Sequence, residues 1–68
     1  MQPADLFARN LREARIARGL TQEQLAGRIE MDAQYGKIER GAVSPSVNTL
    51  VRIARGLEVA PAELLRGL

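Results

Sequence analysis

Helix-ending signals in this chain sit only a residue or two ahead of helix-starting ones, and that punctuation constrains the fold more than any other feature. Gly19 offers the left-handed backbone that closes a helix. In Gly19-Leu20-Thr21-Gln22-Glu23-Gln24-Leu25-Ala26 the capping-box pair Thr21 and Gln24 then opens the next helix. After Ile29 comes Glu30-Met31-Asp32, room for a tight turn only, with Asp32 suited to N-cap a third helix. That helix runs through Lys37-Ile38-Glu39-Arg40 and stops at Gly41. A helix, a short turn and a second helix can hold the second one out into a DNA groove, so nucleic-acid binding is the leading expectation.

The rest of the chain reads as helix too. Pro3 suits a first helical turn, with Asp5 near the positive helix end. Phe7, Leu11 and Ala14 recur at helical spacing and face inward, while Arg9, Arg12, Glu13 and Arg18 belong to the outer face. Helix 2 turns Leu25, Ala26 and Ile29 inward, and helix 3 turns Met31, Tyr35 and Ile38 inward. Residues 42–45 form a loop. Ser46 caps helix 4, whose inner face carries Val47, Leu50, Ile53, Ala54 and Leu57. Pro61 and Glu63 begin a last element in which Leu64, Leu65 and Leu68 give more apolar surface than a short terminal helix needs. The expected fold class is all-α: a compact bundle of five helices in a single domain, residues 1–68.

Composition narrows the function classes. At 68 residues, 46% hydrophobic but 3% aromatic, the core must be aliphatic. A core this small rarely supplies more than about 3–5 kcal/mol, so self-association is a natural supplement. Without cysteine or histidine there are no disulfides and no thiolate or imidazole metal ligands, so no metal and no cofactor are expected. Ser44 and Ser46 have no base to activate them and no glycine-rich phosphate cradle occurs, so an enzyme is not expected. Glu30 and Asp32 read as turn and cap residues rather than a metal pair. Ten basic residues against eight acidic ones give +2, and nine of the ten are arginine, a side chain that forks onto phosphate. No apolar run approaches membrane-spanning length and no signal pattern opens the chain, which fits a cytoplasmic protein with no membrane association.

Several pieces of the sequence resemble the phage-repressor/Cro helix-turn-helix family, also known as XRE. They are Leu11-Arg12-Glu13-Ala14-Arg15, Gly19-Leu20-Thr21-Gln22, Leu25-Ala26, Ile38-Glu39-Arg40-Gly41, Pro45-Ser46, Thr49-Leu50 and Ile53-Ala54. Each is weak alone; in this order and spacing they are specific together. The resemblance implies a lambda-repressor-like bundle in which helices 2 and 3 form the helix-turn-helix and helix 3 enters the major groove. Thr21 and Gln22 then stand at the entrance of helix 2, where the Gln22 amide suits a phosphate and its side chain can brace helix 3. Ala33 and Gln34 fall where the family contacts bases; glutamine can pair with adenine N6 and N7, and alanine can touch a thymine methyl. Lys37 lies one turn on, in reach of guanine or a phosphate. Arg40, Ser44, Ser46 and Asn48 resemble the loop and helix start that clamp the DNA backbone, and Arg15 with Glu39 match a structural ion pair tying helix 1 to helix 3.

Between Leu25 and Glu39 the chain is one residue shorter than the family pattern. Two consequences compete. Either Tyr35 turns inward and takes over the packing of helix 3 on helix 2, or the first turn of helix 3 is lost and Gly36 marks the irregularity. A deleted residue turns one part of a helix by about 100° against the other, which bears directly on where Ala33 and Gln34 point. Glu30 and Glu58 occupy positions where the family commonly has glycine with positive φ, so some strain or a different turn is expected.

Two functions follow. One is a sequence-specific transcriptional regulator, in character a repressor, that binds a two-fold site in double-stranded DNA as a homodimer, with Leu64, Leu65 and Leu68 as the dimer interface. The alternative is a protein-interaction module such as an antitoxin, whose main partner is another protein. The leucines serve either equally well.

Overall fold

In the computed structural model, which describes residues 2–68 and at Asp32 the backbone alone, five helices follow one another with no strand among the described residues. They are α1 (Pro3–Ala17), α2 (Gln22–Arg28), α3 (Asp32–Glu39), α4 (Val47–Leu57) and the single turn α5 (Pro61–Leu64).

The first four helices end in the same way. The N–H of Leu20 reaches back to the Arg15 carbonyl at 3.2 Å and that of Gly19 to Ile16 at 2.9 Å, with Gly19 at φ 70°. The same double closure recurs after α2 (Met31 to Ala26, 2.9 Å), α3 (Ala42 to Lys37, 2.9 Å) and α4 (Val59 to Ala54, 3.0 Å). Each satisfies carbonyls that the helix leaves unpaired, and each needs one residue in the left-handed region. Gly41 fills that place after α3, whereas Glu30 and Glu58 fill it at φ 56° and 59°. The turn is kept and the glutamates carry the strain.

Helix starts follow local chemistry. Thr21 and Gln24 complete a reciprocal capping box: the Gln24 amide donates to Thr21 Oγ1 at 3.1 Å and the Thr21 amide to Gln24 Oε1 at 2.8 Å. Ser46 Oγ accepts from the Thr49 amide at 3.1 Å and so caps α4. At α3 the expected cap is displaced by one residue. Met31 is the N-cap and Asp32 is already helical, because Met31 both closes α2 through its N–H and accepts from the Gln34 and Tyr35 amides at 3.2 and 3.0 Å. The Asp32 side chain lies outside the described residues.

The core joins Phe7 and Leu11 of α1, Leu25 and Ile29 at α2, Tyr35 and Ile38 of α3, Ile53 and Leu57 of α4, and Leu64 of α5. Gly56 lets α4 approach α2, since a Cβ there would overlap Ile29 Cγ2 and touch Leu25 Cδ1 at 3.4 Å. Val47 departs from the expected inner face of α4. It is 75% exposed, as the first residue of the helix lies before the axis reaches the core, and packing begins at Leu50. No helix of the described residues is long and apolar enough to cross a membrane.

Candidate nucleic-acid interface

Helix α3 is held from behind and open in front. Tyr35, Ile38 and Glu39 are buried, whereas Ala33, Gln34, Lys37 and Arg40 are exposed. The helix is continuous from Asp32 through Gly36 to Glu39, and its first turn closes on the Met31 carbonyl. Of the two consequences of the shortened turn, the inward rotation of Tyr35 is therefore the one seen. Ala33 and Lys37 sit one turn apart with Gln34 beside them, forming one outer face.

The anchoring is electrostatic as well as apolar. Arg15 Nη2 lies 2.7 Å from Glu39 Oε1, and Arg15 Nε donates to both carboxylate oxygens at 3.0 and 3.1 Å. The hydrogen bond to Glu39 raises the Arg15 pKa above its ordinary value and outweighs the opposing effect of burial. Arg15 Nη1 also donates to the Leu20 carbonyl at 2.8 Å, and Arg12 Nη1 to the Glu39 carbonyl at 2.8 Å. Helix α1, the turn before α2 and the end of α3 are thus one hydrogen-bonded unit. Placing Arg12 simply on the outer face misses this bond; the signal for it is the cation preference of a helix C-terminus.

Tyr35 presents the opposite situation. Its ring is buried, and its hydroxyl has no hydrogen-bond partner among the described residues. Burial pushes its pKa well above the usual tyrosine value, and the nearby Glu39 carboxylate adds to that, although the two do not meet hydrogen-bond geometry.

Two shallow grooves flank α3. One, toward α2, is lined by Gln22, Glu23, Ala26, Tyr35 and Gly36. The other, toward α4, brings Ala33 and Gln34 together with Thr49 and Arg52, two residues that the sequence did not mark as DNA contacts. Thr21 and Gln22 are exposed at the start of α2, and the Thr21 hydroxyl oxygen is engaged in the capping box. Ser44, Ser46 and Asn48 are exposed in the loop and first turn of α4, where Ser46 caps the helix.

The C-terminal leucines separate. Leu64 is fully buried in the monomer core and is not available to a partner, because Asn10 Nδ2 donates to the Leu64 and Arg66 carbonyls, each at 3.0 Å, and holds this turn against α1. Leu65 and Leu68 remain 38% and 61% exposed, and with Pro3, Phe7, Pro45 and Val47 they line an apolar groove.

Comparison with known proteins agrees with this architecture. The helix-turn-helix family pattern matches residues 11–64. The chain therefore belongs to the XRE-type helix-turn-helix family of DNA-binding transcriptional regulators. It is 36% identical over 66 residues to the uncharacterized HTH-type transcriptional regulator y4dJ of Sinorhizobium fredii, covering 96% of this chain and 86% of that protein. It is 32% identical over 63 residues to the SPbeta prophage-derived uncharacterized HTH-type transcriptional regulator YonR of Bacillus subtilis, covering 91% of this chain and 58% of YonR. This chain thus spans little more than half the length of the second relative. No solved structure matches it.

Proposed function

We propose that this chain is a repressor that binds a two-fold operator as a homodimer, with α3 of each copy in the major groove. The observation that carries the reading is the division of α3: Tyr35, Ile38 and Glu39 fix one side to the body, and Ala33, Gln34 and Lys37 stand free on the other. A helix anchored in this way presents its outer residues to base edges without reordering the fold. In this reading Gln34 and Ala33 touch bases. Gln22, Lys37 and Arg40, with Ser44, Ser46 and Asn48, meet phosphates, which set position rather than sequence. Thr21 acts mainly through the cap that orders the start of α2.

One reading helix covers only a few base pairs, so useful specificity calls for two copies with their α3 helices about 34 Å apart, one turn of DNA. A gel shift against DNA from upstream of the protein's own coding region tests the reading. Binding should weaken steeply with salt as phosphate contacts displace counterions, and the bound duplex should be refractory to transcription in vitro. Binding that is absent, or insensitive to salt, would show that the chain does not act through duplex DNA.

A further inference from the structure

Gly36 occupies the second turn of α3, where glycine is the least favourable choice after proline. The fold does not call for it: its backbone is not left-handed, unlike that of Gly19, Gly41 and Gly67. Among the described residues, a β-carbon there would meet one neighbouring side-chain atom, Arg40 Nη1, at 3.2 Å. The Arg40 guanidinium therefore folds back one turn along α3 and lies over the space that a side chain at position 36 would fill. Gly36 also lines the groove between α2 and α3, with Gln22 and Glu23 on its other side. The bare backbone at position 36 thus brings a cation to the edge of that groove, close against the reading helix.

We infer that Gly36 is a positioning residue for Arg40: by carrying no side chain it lets the guanidinium lie close against the second turn of α3, from where its donor fork meets a DNA phosphate beside the α2–α3 groove. A methyl group at position 36 would press the guanidinium outward by a few tenths of an ångström, and a fork that must meet two phosphate oxygens together is sensitive to its placement. The inference rests on α3 being the reading helix. It adds a reason for a glycine that weakens that helix.

The test is a double-mutant cycle on the whole chain: the unsubstituted protein, Gly36→Ala, Arg40→Ala and the double variant. Each is titrated against a fluorescently labelled random-sequence duplex pool over a salt series, and each is melted thermally. Gly36→Ala should melt at a higher temperature yet bind about two-fold more weakly. Arg40→Ala should lose more and flatten the log K against log salt slope by about 1, and the double variant should bind no more weakly than Arg40→Ala alone. Additive losses, unchanged binding by Gly36→Ala, or a lower melting temperature for that variant would each overturn the inference. If the unsubstituted chain binds no duplex at any salt, the DNA-binding reading itself fails, and that result is distinct from a failed coupling.

Discussion

Arg15 grips Glu39 side-on, with Nη2 2.7 Å from Oε1 and Nε within 3.1 Å of both oxygens, while the Glu39 side chain is only 1% exposed. The pair joins the last turn of α1 to the last turn of α3. A buried ion pair contributes little net stability against an apolar replacement, but removing one partner strands the other. Glu39→Ala should therefore destabilise the fold by about 3–5 kcal/mol, because Arg15 would keep its charge with only the Leu20 carbonyl to receive it. Urea denaturation measures this, and an unchanged midpoint would show that Arg15 finds water instead.

Tyr35 gives the opposite expectation for the same packing. Its hydroxyl is buried without a hydrogen-bond partner among the described residues, so Tyr35→Phe should stabilise the chain by about 1 kcal/mol. The sign with pH follows from the raised tyrosine pKa. The folded chain keeps the phenol proton where the unfolded chain, titrating near 10, has released it, so the contribution is fully present below pH ~10 and is lost as pH rises. Tyr35→Phe should remove this alkaline loss. Tyr35 is the only tyrosine, so phenolate absorbance reports it alone. Ionisation at the ordinary tyrosine pKa in the folded protein would contradict the burial argument.

The left-handed glutamates and the close glycine predict substitutions of opposite sign. Glu58→Gly should gain about 0.5–1 kcal/mol by relieving the αL conformation, after the greater chain entropy of glycine is set against it. The exposed Arg18–Glu58 ion pair that would be lost is 3.5 Å long and contributes little. Gly56→Ala should cost about 1–3 kcal/mol despite the better helix propensity of alanine, because the new methyl would be forced against Ile29. Thermal melts that moved both variants in the same direction would be inconsistent with the reasons given for them.

How much of this was legible in the sequence depended on the range of the interaction involved. Gly19, Gly41, Thr21 and Ser46 act within four or five residues of themselves, and their signals placed the helix boundaries. The outer face of α3 was legible as the complement of the Tyr35–Ile38 stripe. Asn10 was not legible: its partners are carbonyls 54 and 56 residues away, and nothing local marks it as buried. Periodicity could not separate Leu64 from Leu65, because in a single-turn helix the packing of α1 decides which leucine faces in. The groove that brings Thr49 and Arg52 beside Gln34 likewise exists only once the helices are assembled.

Gln34 is the exposed side chain on α3 with the donor and acceptor pair that reads adenine. Under the proposed function, Gln34→Ala should relax base preference at one or two positions, costing about 1–3 kcal/mol on the preferred sequence and little on others. Selection from a randomised duplex library by each protein makes the comparison. Equal weakening on every sequence would instead make Gln34 a contact to the DNA backbone.

Assembly provides the remaining prediction. With Leu64 committed to the core, the apolar surface left at the C-terminal end is Leu65 and Leu68, continuous with Val47, Pro45 and Pro3. A small aliphatic core gains from covering such a surface, and a two-fold axis through it would set each patch against its own copy. In the proposed homodimer, Leu65→Asp and Leu68→Asp should each turn a dimer into a monomer in sedimentation experiments. Their melting behaviour separates lost pairing from lost folding, because both side chains are already partly in water, whereas Leu64→Asp should abolish folding outright. A monomer mass that does not change with concentration in the unsubstituted chain would count against pairing through this groove. Aspartate variants that remained dimers would place the two-fold axis on another face of the molecule.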